Sequence, residues 1–484
     1  MTRALDNTPP DPATRQAPAP SSSQRWALIL GALTSFVVGL DALVVATALP
    51  TLHQQYGSGV EQLSWTVNAY QLAFAASILT GSSLGDRLGR RPMFIIGLML
   101  FGLASALCAL SPNLAVLIAA RALQGVGAGI AVPLALALIT DLTPPHLRGK
   151  ALGIWGAVTG VAVAAGPLVG GAIIEGLTWQ WIFWLNVPVT VGIAVAAHRK
   201  ISHSTATTAT LDPAGLALAT AGVFGLVYAL IMGNSTGWTS PPILAAFVVG
   251  AVALALFVVW ESRTGHPMLP LSMFANRGFT ASCVAGFTLM AGVFGLGFLT
   301  AQYLQLALGR GPLAVGLGLL PATALALPLS PLAGRLADRL GERPLVAAGL
   351  ALQGLGLALI GILVTDTSGY ATIVGPLAIT GAGVAIAFPT AASSAMRSAG
   401  PAEAGIASGI SNTFRQAGAV FGVAMCTAIF AANGNYRTAG DFIDGYSPAF
   451  VTLGALCCAT ALIQLALHPA RNADTDAVIR PQPS

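Results

Sequence analysis

Fourteen apolar stretches separated by short polar connections leave this chain of 484 residues little choice of fold. They run approximately over 26–49, 63–83, 92–111, 114–139, 150–174, 182–200, 213–232, 243–260, 279–301, 313–333, 345–364, 370–392, 404–431 and 448–468. A membrane-spanning helix needs about 20 predominantly apolar residues, and each stretch is close to that length. Helices are the expected spanning structure, because lipid satisfies no open backbone and strands of about ten alternating residues are absent. Only 8% of the residues are charged, against roughly 25% in soluble proteins. The expectation is an all-α polytopic membrane protein with fourteen transmembrane helices.

Positive residues are retained on the cytoplasmic side of a membrane. Of the 22 Lys and Arg residues, eighteen fall in the tails or in loops after even-numbered spans, while Arg310 and Arg437 fall on the opposite side. Both termini are therefore expected in the cytoplasm, and the protein in the plasma membrane. This topology accounts for the net charge of +5, so a nucleic-acid partner has no support. Residues 1–24, rich in Pro, Ser, Thr and Ala, read as a disordered cytoplasmic tail. Span 1 is too long for a signal core and thirteen spans follow it, so it is expected to be retained. The five cysteines lie in apolar spans without ligand spacing and read as small packing residues. No histidine lies deep in a span, and no metal set can be assembled from the sequence.

Two cations and one acid break the apolar pattern. Asp41 is the sole acidic residue well inside any span, in the run Val37-Val38-Gly39-Leu40-Asp41-Ala42-Leu43, and Arg121 and Arg415 lie within spans 4 and 13. A carboxylate at bilayer depth costs roughly 2.5–3.5 kcal/mol on insertion scales, so its position needs a reason. One reason is proton handling, since burial disfavours the charged form of a carboxyl and a nearby cation favours it. The other is a structural ion pair with Arg121 or Arg415 that locks two helices. An arginine stays protonated, so Arg121 would bias the acid rather than carry the proton, or else serve as a packing donor. For Arg415 the choice lies between an anchor and a contact with an anionic or carbonyl-rich substrate.

The chain also repeats itself. Gly81-Ser82-Ser83-Leu84-Gly85-Asp86-Arg87-Leu88-Gly89-Arg90-Arg91-Pro92 follows span 2, and Gly334-Arg335-Leu336-Ala337-Asp338-Arg339-Leu340-Gly341-Glu342-Arg343-Pro344 follows span 10. Ala151-Leu152-Gly153-Ile154 of span 5 is echoed by Ala407-Ser408-Gly409-Ile410 of span 13. The organisation is a tail (1–24), an N-terminal six-helix bundle (25–200), a linker with spans 7 and 8 (201–277), a C-terminal six-helix bundle (278–468) and a cytoplasmic tail (469–484). Parallel repeats of this kind build a central site between two halves that rock about it.

With these motifs the chain resembles the fourteen-helix drug:proton antiporters of the major facilitator superfamily. The doubled Gly-x-Leu-Ala-Asp-Arg-x-Gly-type segment is that superfamily's hallmark. Span 4 offers Arg121-Ala122-Leu123-Gln124-Gly125-Val126-Gly127-Ala128-Gly129, and span 5 the antiporter pattern Ala162-x3-Gly166-Pro167-x2-Gly170-Gly171. Ser82, Ala162 and Gln180 depart from the usual Gly, Gly and Arg, which puts the external contact of that Arg in doubt.

The resemblance implies proton coupling through Asp41 and Arg121, and a conformational gate at Gly85, Asp86, Arg87, Gly89, Arg90, Asp338, Arg339 and Gly341. It also implies an antiporter face at Gly166, Pro167, Gly170 and Gly171 that blocks leakage between the halves. Asn68, Gln124, Tyr303, Asn412 and Arg415 are candidates to line a substrate cavity. A cavity with aromatics and few charges suits bulky, amphipathic compounds. The expected function is proton-coupled export of small amphipathic drugs, antibiotics or secondary metabolites, by a monomer in the lipid bilayer that uses the proton gradient and no cofactor. Uptake or facilitated diffusion on the same fold is the alternative. An intramembrane enzyme lacks a nucleophile with its base or a metal set, and a sensor lacks a sizeable soluble domain.

Overall fold

The computed structural model describes residues 22–201, 212–265, 267, 269–399 and 404–466, and they form helices with no strand. The N-terminal part consists of α1 (Ser22–Tyr56), α2 (Val60–Leu88), α3 (Arg90–Ala109), α4 (Leu114–Leu142), α5 (Pro145–Gly176), the single turn α6 (Trp181–Trp184) and α7 (Asn186–Lys200). Two further helices, α8 (Pro213–Thr236) and α9 (Pro241–Arg263), lead to α10 (Arg277–Gln302), which ends in a π turn at Tyr303–Ala307. The rest comprises α11 (Pro312–Gly318), α12 (Leu320–Thr323), α13 (Ala326–Leu340), α14 (Glu342–Leu363), α15 (Ala371–Ala399), α16 (Ala404–Asn433) and α17 (Ala439–Ala466).

Among the described residues twelve helical segments are long and apolar enough to cross a membrane, where the sequence leads one to expect fourteen. Outside the twelve stand α2 and α5, of 29 and 32 residues; α2 is diluted by Ser64, Thr66, Asn68 and Gln71. The stretch expected as one span over 313–333 remains one membrane-length segment, Pro312–Ala337, but its ladder is interrupted into α11, α12 and α13, where Pro321 and Pro328 withhold backbone donors. The expected tail 469–484 lies outside the described residues, and so does 1–24 except that α1 already begins at Ser22.

Local chemistry sets the helix ends. The side chain of Asn113 accepts from Val116 N–H to open α4, Asp212 accepts from Gly215 N–H to open α8, and Asn276 accepts from Gly278 and Phe279 N–H to open α10. The repeated segments are not loops: Gly81–Leu88 forms the last turns of α2, and Gly334–Leu340 those of α13. In each case the chain turns on one glycine, Gly89 (φ 99°) and Gly341 (φ 83°), a conformation that costs other residues dearly.

Small residues decide which helices touch. A Cβ on Gly125 or Gly129 of α4 would strike the backbone of Tyr70 or Phe74 in α2, and one on Gly127 would strike Phe101 in α3. In the C-terminal half, Gly418 and Gly422 of α16 lie as closely on Phe287 and Ala291 of α10. The halves meet where α2 packs on α16, α5 on α11 and α1 on α10, while α8 and α9 pack on each other with α8 leaning on α2 and α16. In α9 only 17% of the apolar window is buried, against 83% in the segment Arg277–Ala307. The first therefore faces lipid at the periphery and the second runs through the centre.

Candidate functional site

The acid singled out in the sequence is at the centre of a polar knot inside the N-terminal half. Asp41 of α1 and Arg121 of α4 are both 0% exposed and form an ion pair, with one guanidinium nitrogen 2.5 Å from Oδ2. Arg121 is steadied further by Nε, which donates to the Thr66 carbonyl (3.0 Å), and by the same terminal nitrogen that meets Asp41, which also donates to Gln124 Oε1 (2.7 Å). Its guanidinium carbon lies 4.2 Å from the centre of the Tyr70 ring, where a ring face attracts a cation. The second carboxylate oxygen, Oδ1, accepts from Gln124 Nε2 at 3.0 Å and from Asn186 Nδ2 at 2.8 Å. Both amides also donate to Ser105 Oγ, whose own proton goes to the Phe183 carbonyl.

Six elements thus converge on one carboxylate: α1, α2, α3, α4, α6 and α7. A charge out of water is tolerable only when it is paired and its remaining lone pairs are satisfied, and the Asp41 carboxylate meets both conditions, while one guanidinium nitrogen of Arg121 stays without a hydrogen-bond partner. The same arrangement defines its chemistry. The pair holds while both groups are charged, and protonation of Asp41 would remove the attraction and leave Arg121 as an uncompensated cation. The acid and the helix contacts are therefore linked. Gly166 and Gly170 of α5 strengthen the link, because a Cβ on Gly166 would lie 3.1 Å from the Leu40 carbonyl and one on Gly170 2.5 Å from Thr47 Oγ1. Two residues of the expected antiporter face thus lie on α1 beside Asp41, within one half.

Gly171 is the member of that face that reaches the other half, where a Cβ placed on it would strike the Pro312 carbonyl at the start of α11. Around it lie the polar contacts between halves. Gln305 Nε2 donates to the Thr47 carbonyl at 2.9 Å, and Glu175 Oε2 accepts from Leu313 N–H at 3.4 Å. The halves are closed against each other at this end. The side chain of Pro167 lies outside the described residues, as do those of Asp86 and Asp338.

At the opposite end the expected gate residues are distributed differently from a single cluster. Arg90 pairs with Asp141 across α3 and α4, while Arg87 and Arg339 are exposed. In the C-terminal half Glu342 at the start of α14 pairs with Arg397 of α15 at 3.3 Å and accepts from Ser393 Oγ at 2.7 Å. The two halves thus tie equivalent helix ends with opposite polarity. Gly85 fits against Leu134 of α4, and Gly89 and Gly341 are the turns already described.

The expected cavity residues separate into three groups. Gln124 belongs to the Asp41 knot. Tyr303 is fully buried rather than cavity-lining, with its ring 4.9 Å from that of Tyr446 and its hydroxyl donating to the Ser368 carbonyl at 3.2 Å. Asn68 and Arg415 stay free of protein partners at their buried polar atoms, and Gln71, one turn from Asn68, joins them. Asn412 is half-buried on α16, three residues from Arg415. Ser105, Asn186 and Gln71 were not singled out from sequence. An isolated Asn at the head of an apolar span was the one available signal for Asn186.

Comparison with known proteins fits this architecture. The family description Major Facilitator Superfamily matches residues 31–423. The chain is 34% identical over 412 residues to the multidrug resistance protein Stp of Mycobacterium tuberculosis (strain CDC 1551 / Oshkosh), covering 85% of this chain and 76% of that protein. It is 34% identical over 470 residues to the puromycin resistance protein pur8 of Streptomyces alboniger, covering 96% and 92%. Over 453 residues it is 32% identical to a methylenomycin A resistance protein of Bacillus subtilis (strain 168), covering 93% and 96%. Among solved structures, a POT family transporter in complex with a thioalcohol-conjugated peptide superposes with a TM-score of 0.69 at 16% identity, over 91% of this chain and 95% of that one. The xylose transporter XylE from E. coli gives 0.64 at 13%, over 93% and 98%. The chain belongs to the Major Facilitator Superfamily. It is a multi-pass membrane transporter and not an enzyme.

Proposed function

We propose that this protein is a proton-coupled antiporter that exports small amphipathic drugs, antibiotics or secondary metabolites across the plasma membrane by alternating access. The observation that carries the reading is the Asp41 carboxylate, fully buried and held by Arg121, Gln124 and Asn186. In the outward-facing state Asp41 takes a proton and lets go of Arg121. In the inward-facing state it releases that proton to the cytoplasm and the ion pair re-forms, with one proton used per cycle. Relatives named for multidrug, puromycin and methylenomycin A resistance support the cargo class and the direction.

In this reading α2 and α5 cross the membrane with the other twelve segments, giving fourteen crossings with both termini in the cytoplasm. The two halves are six-helix bundles, α8 and α9 are an appended pair, and the working unit is a monomer. The contacts of Gly171, Gln305 and Glu175 then lie at the outer face, so the state described here is closed to the outside. The Arg90–Asp141 and Glu342–Arg397 pairs lie at the cytoplasmic face, where the repeated segments gate the passage.

The test is efflux of a panel of lipophilic dyes and antibiotics from energised cells, comparing wild type with Asp41→Asn at matched membrane expression and with a protonophore. Export stopped by both the substitution and the protonophore supports the reading. Export by Asp41→Asn at the wild-type rate overturns it.

A further inference from the structure

We infer that the cargo of this transporter carries an acid group, and that Arg415 of α16 is the residue that binds it. The inference rests on the export reading above and names the substrate class of the same passage.

Among the described residues the buried carboxylates are Asp41, Asp212 and Glu261. Asp41 accepts from three side chains. Asp212 accepts from Gly215 N–H and from the Trp260 indole, and Glu261 accepts from Leu269 N–H, so both tie α8 and α9 to their flanking chain. None of the three is left to receive a cationic drug. On the cationic side, Arg415 of α16 is a partly buried charge set inside a span. Arg415 has no carboxylate in ion-pair range, and its Nε is buried without a partner.

The surroundings of Arg415 are built to hold it. Its guanidinium carbon sits 4.0 Å from the centre of the Phe388 ring of α15, which fixes the plane of the fork from one side. Its stem passes Gly286 of α10, where a Cβ would lie 2.9 Å from Arg415 Cγ, so only glycine leaves the stem its course. The side chain therefore runs inside the bundle between α10 and α15, and lipid exposure does not explain it. A cation placed there at such cost is worth keeping if something arrives to pair with it. A planar fork of donors matches a carboxylate or sulfonate with two parallel hydrogen bonds.

A second, independent observation comes from α2, which packs on α16. Asn68 and Gln71 are both 0% exposed, yet neither amide of either side chain has a hydrogen-bond partner. They belong to the same helix pair as Arg415, since Leu72 of α2 clusters with Val420 and Ala424 of α16. Buried amides without partners are rare in a finished structure and mark groups that await a ligand or water. Four donors and acceptors of this kind, on a helix that packs against the helix carrying Arg415, suit the carbonyl and hydroxyl groups of an organic acid.

The sign of the cargo also changes what drives export. Exchange of one inward proton for one outward anion moves two positive equivalents inward, so the membrane potential assists alongside the pH difference. A monovalent cation exchanged for one proton would move no net charge.

The experiment measures binding to purified wild-type protein in detergent, using matched triplets in which one aromatic scaffold bears a carboxylate, a carboxamide or an ammonium group. Naphthalene, anthracene and coumarin supply the scaffolds. The acids are expected to bind tighter than their ammonium partners by at least about tenfold, and Arg415→Gln to abolish that preference while Arg415→Lys keeps part of it. Gly286→Leu, which displaces the stem, is expected to act like Arg415→Gln with residue 415 intact. Ammonium members that bind as tightly as the acids, acids unaffected by Arg415→Gln, or no binding by any triplet would each overturn the inference. In proteoliposomes a potassium diffusion potential, negative inside and without a pH gradient, should accelerate export of the acid. Export of cations alone, abolished by Asp41→Asn, would refute acid recognition while leaving proton-coupled export standing, whereas acid binding without any proton-dependent transport would do the reverse.

Discussion

Two arginines lie well inside spans, Arg121 fully buried in one half and Arg415 partly buried in the other, and their surroundings differ. Arg121 is paired with Asp41, donates to a carbonyl and an amide, and faces the Tyr70 ring. Arg415 has an aromatic ring and no counter-ion among the described residues. A satisfied buried pair is a structural bond whose strength depends on protonation. A partly buried cation without a counter-ion makes no such ion pair and is open to one with a group that arrives from outside. In the proposed function the first arrangement serves the proton and the second the cargo.

The largest effect should come from breaking the satisfied pair. Asp41→Asn or Arg121→Gln alone leaves one uncompensated charge and should lower stability by about 3–5 kcal/mol. The double variant should recover most of that loss and still transport nothing uphill. Thermal unfolding of the detergent-purified proteins reads the first part, and a double variant as unstable as the sum of the singles would contradict it.

Asn186→Leu should come next. It removes one of the two donors to Asp41 Oδ1 and one donor to Ser105, at about 1–3 kcal/mol. Stability measured in the same way should fall by that amount, and a comparable rise in the transport barrier would slow transport about tenfold. An unchanged rate would mean that Gln124 alone holds the carboxylate in place.

Gln305→Ala removes a single contact between the halves, from its amide to the Thr47 carbonyl. The expected shift is about 1 kcal/mol towards the state open at that end, or about fivefold in population. A Leu308→Cys reporter labelled with an impermeant maleimide should react correspondingly faster, and an equal rate would show that the contact does not hold the halves closed.

The smallest effect on stability is expected where the cation stands alone. Arg415→Gln removes an unrepaid desolvation cost, so the unfolding temperature should hold or rise slightly. A fall as large as that of Arg121→Gln would reveal a structural bond and erase the contrast between the halves.

How much of this was legible in the sequence follows from the physics of each signal. Asp41, Arg121 and Arg415 stand out because a charge in an apolar run is costly wherever the chain folds. Ser105 and Asn186 do not, since isolated hydroxyls and amides are ordinary in membrane helices and their convergence on Asp41 is tertiary. The repeated segment was visible, but its glycines disguised the fact that α2 and α13 continue through it to Gly89 and Gly341. The span over 313–333 is continuous by hydropathy, which does not register the donors withheld by Pro321 and Pro328. Tyr303 looked like a cavity residue because an aromatic beside amides fits one, and only packing against Tyr446 and Phe442 shows otherwise.

The most direct test of the central claim, that Asp41 couples proton flux to export, is substrate-driven proton movement in proteoliposomes. A pH-sensitive dye is enclosed, and a gradient of an exported compound is imposed with no initial pH difference. Wild type should move protons against the substrate flow, and Asp41→Asn should move none while still binding the compound. Equal proton movement by Asp41→Asn would contradict the account and leave the Asp41–Arg121 pair as a structural bond alone.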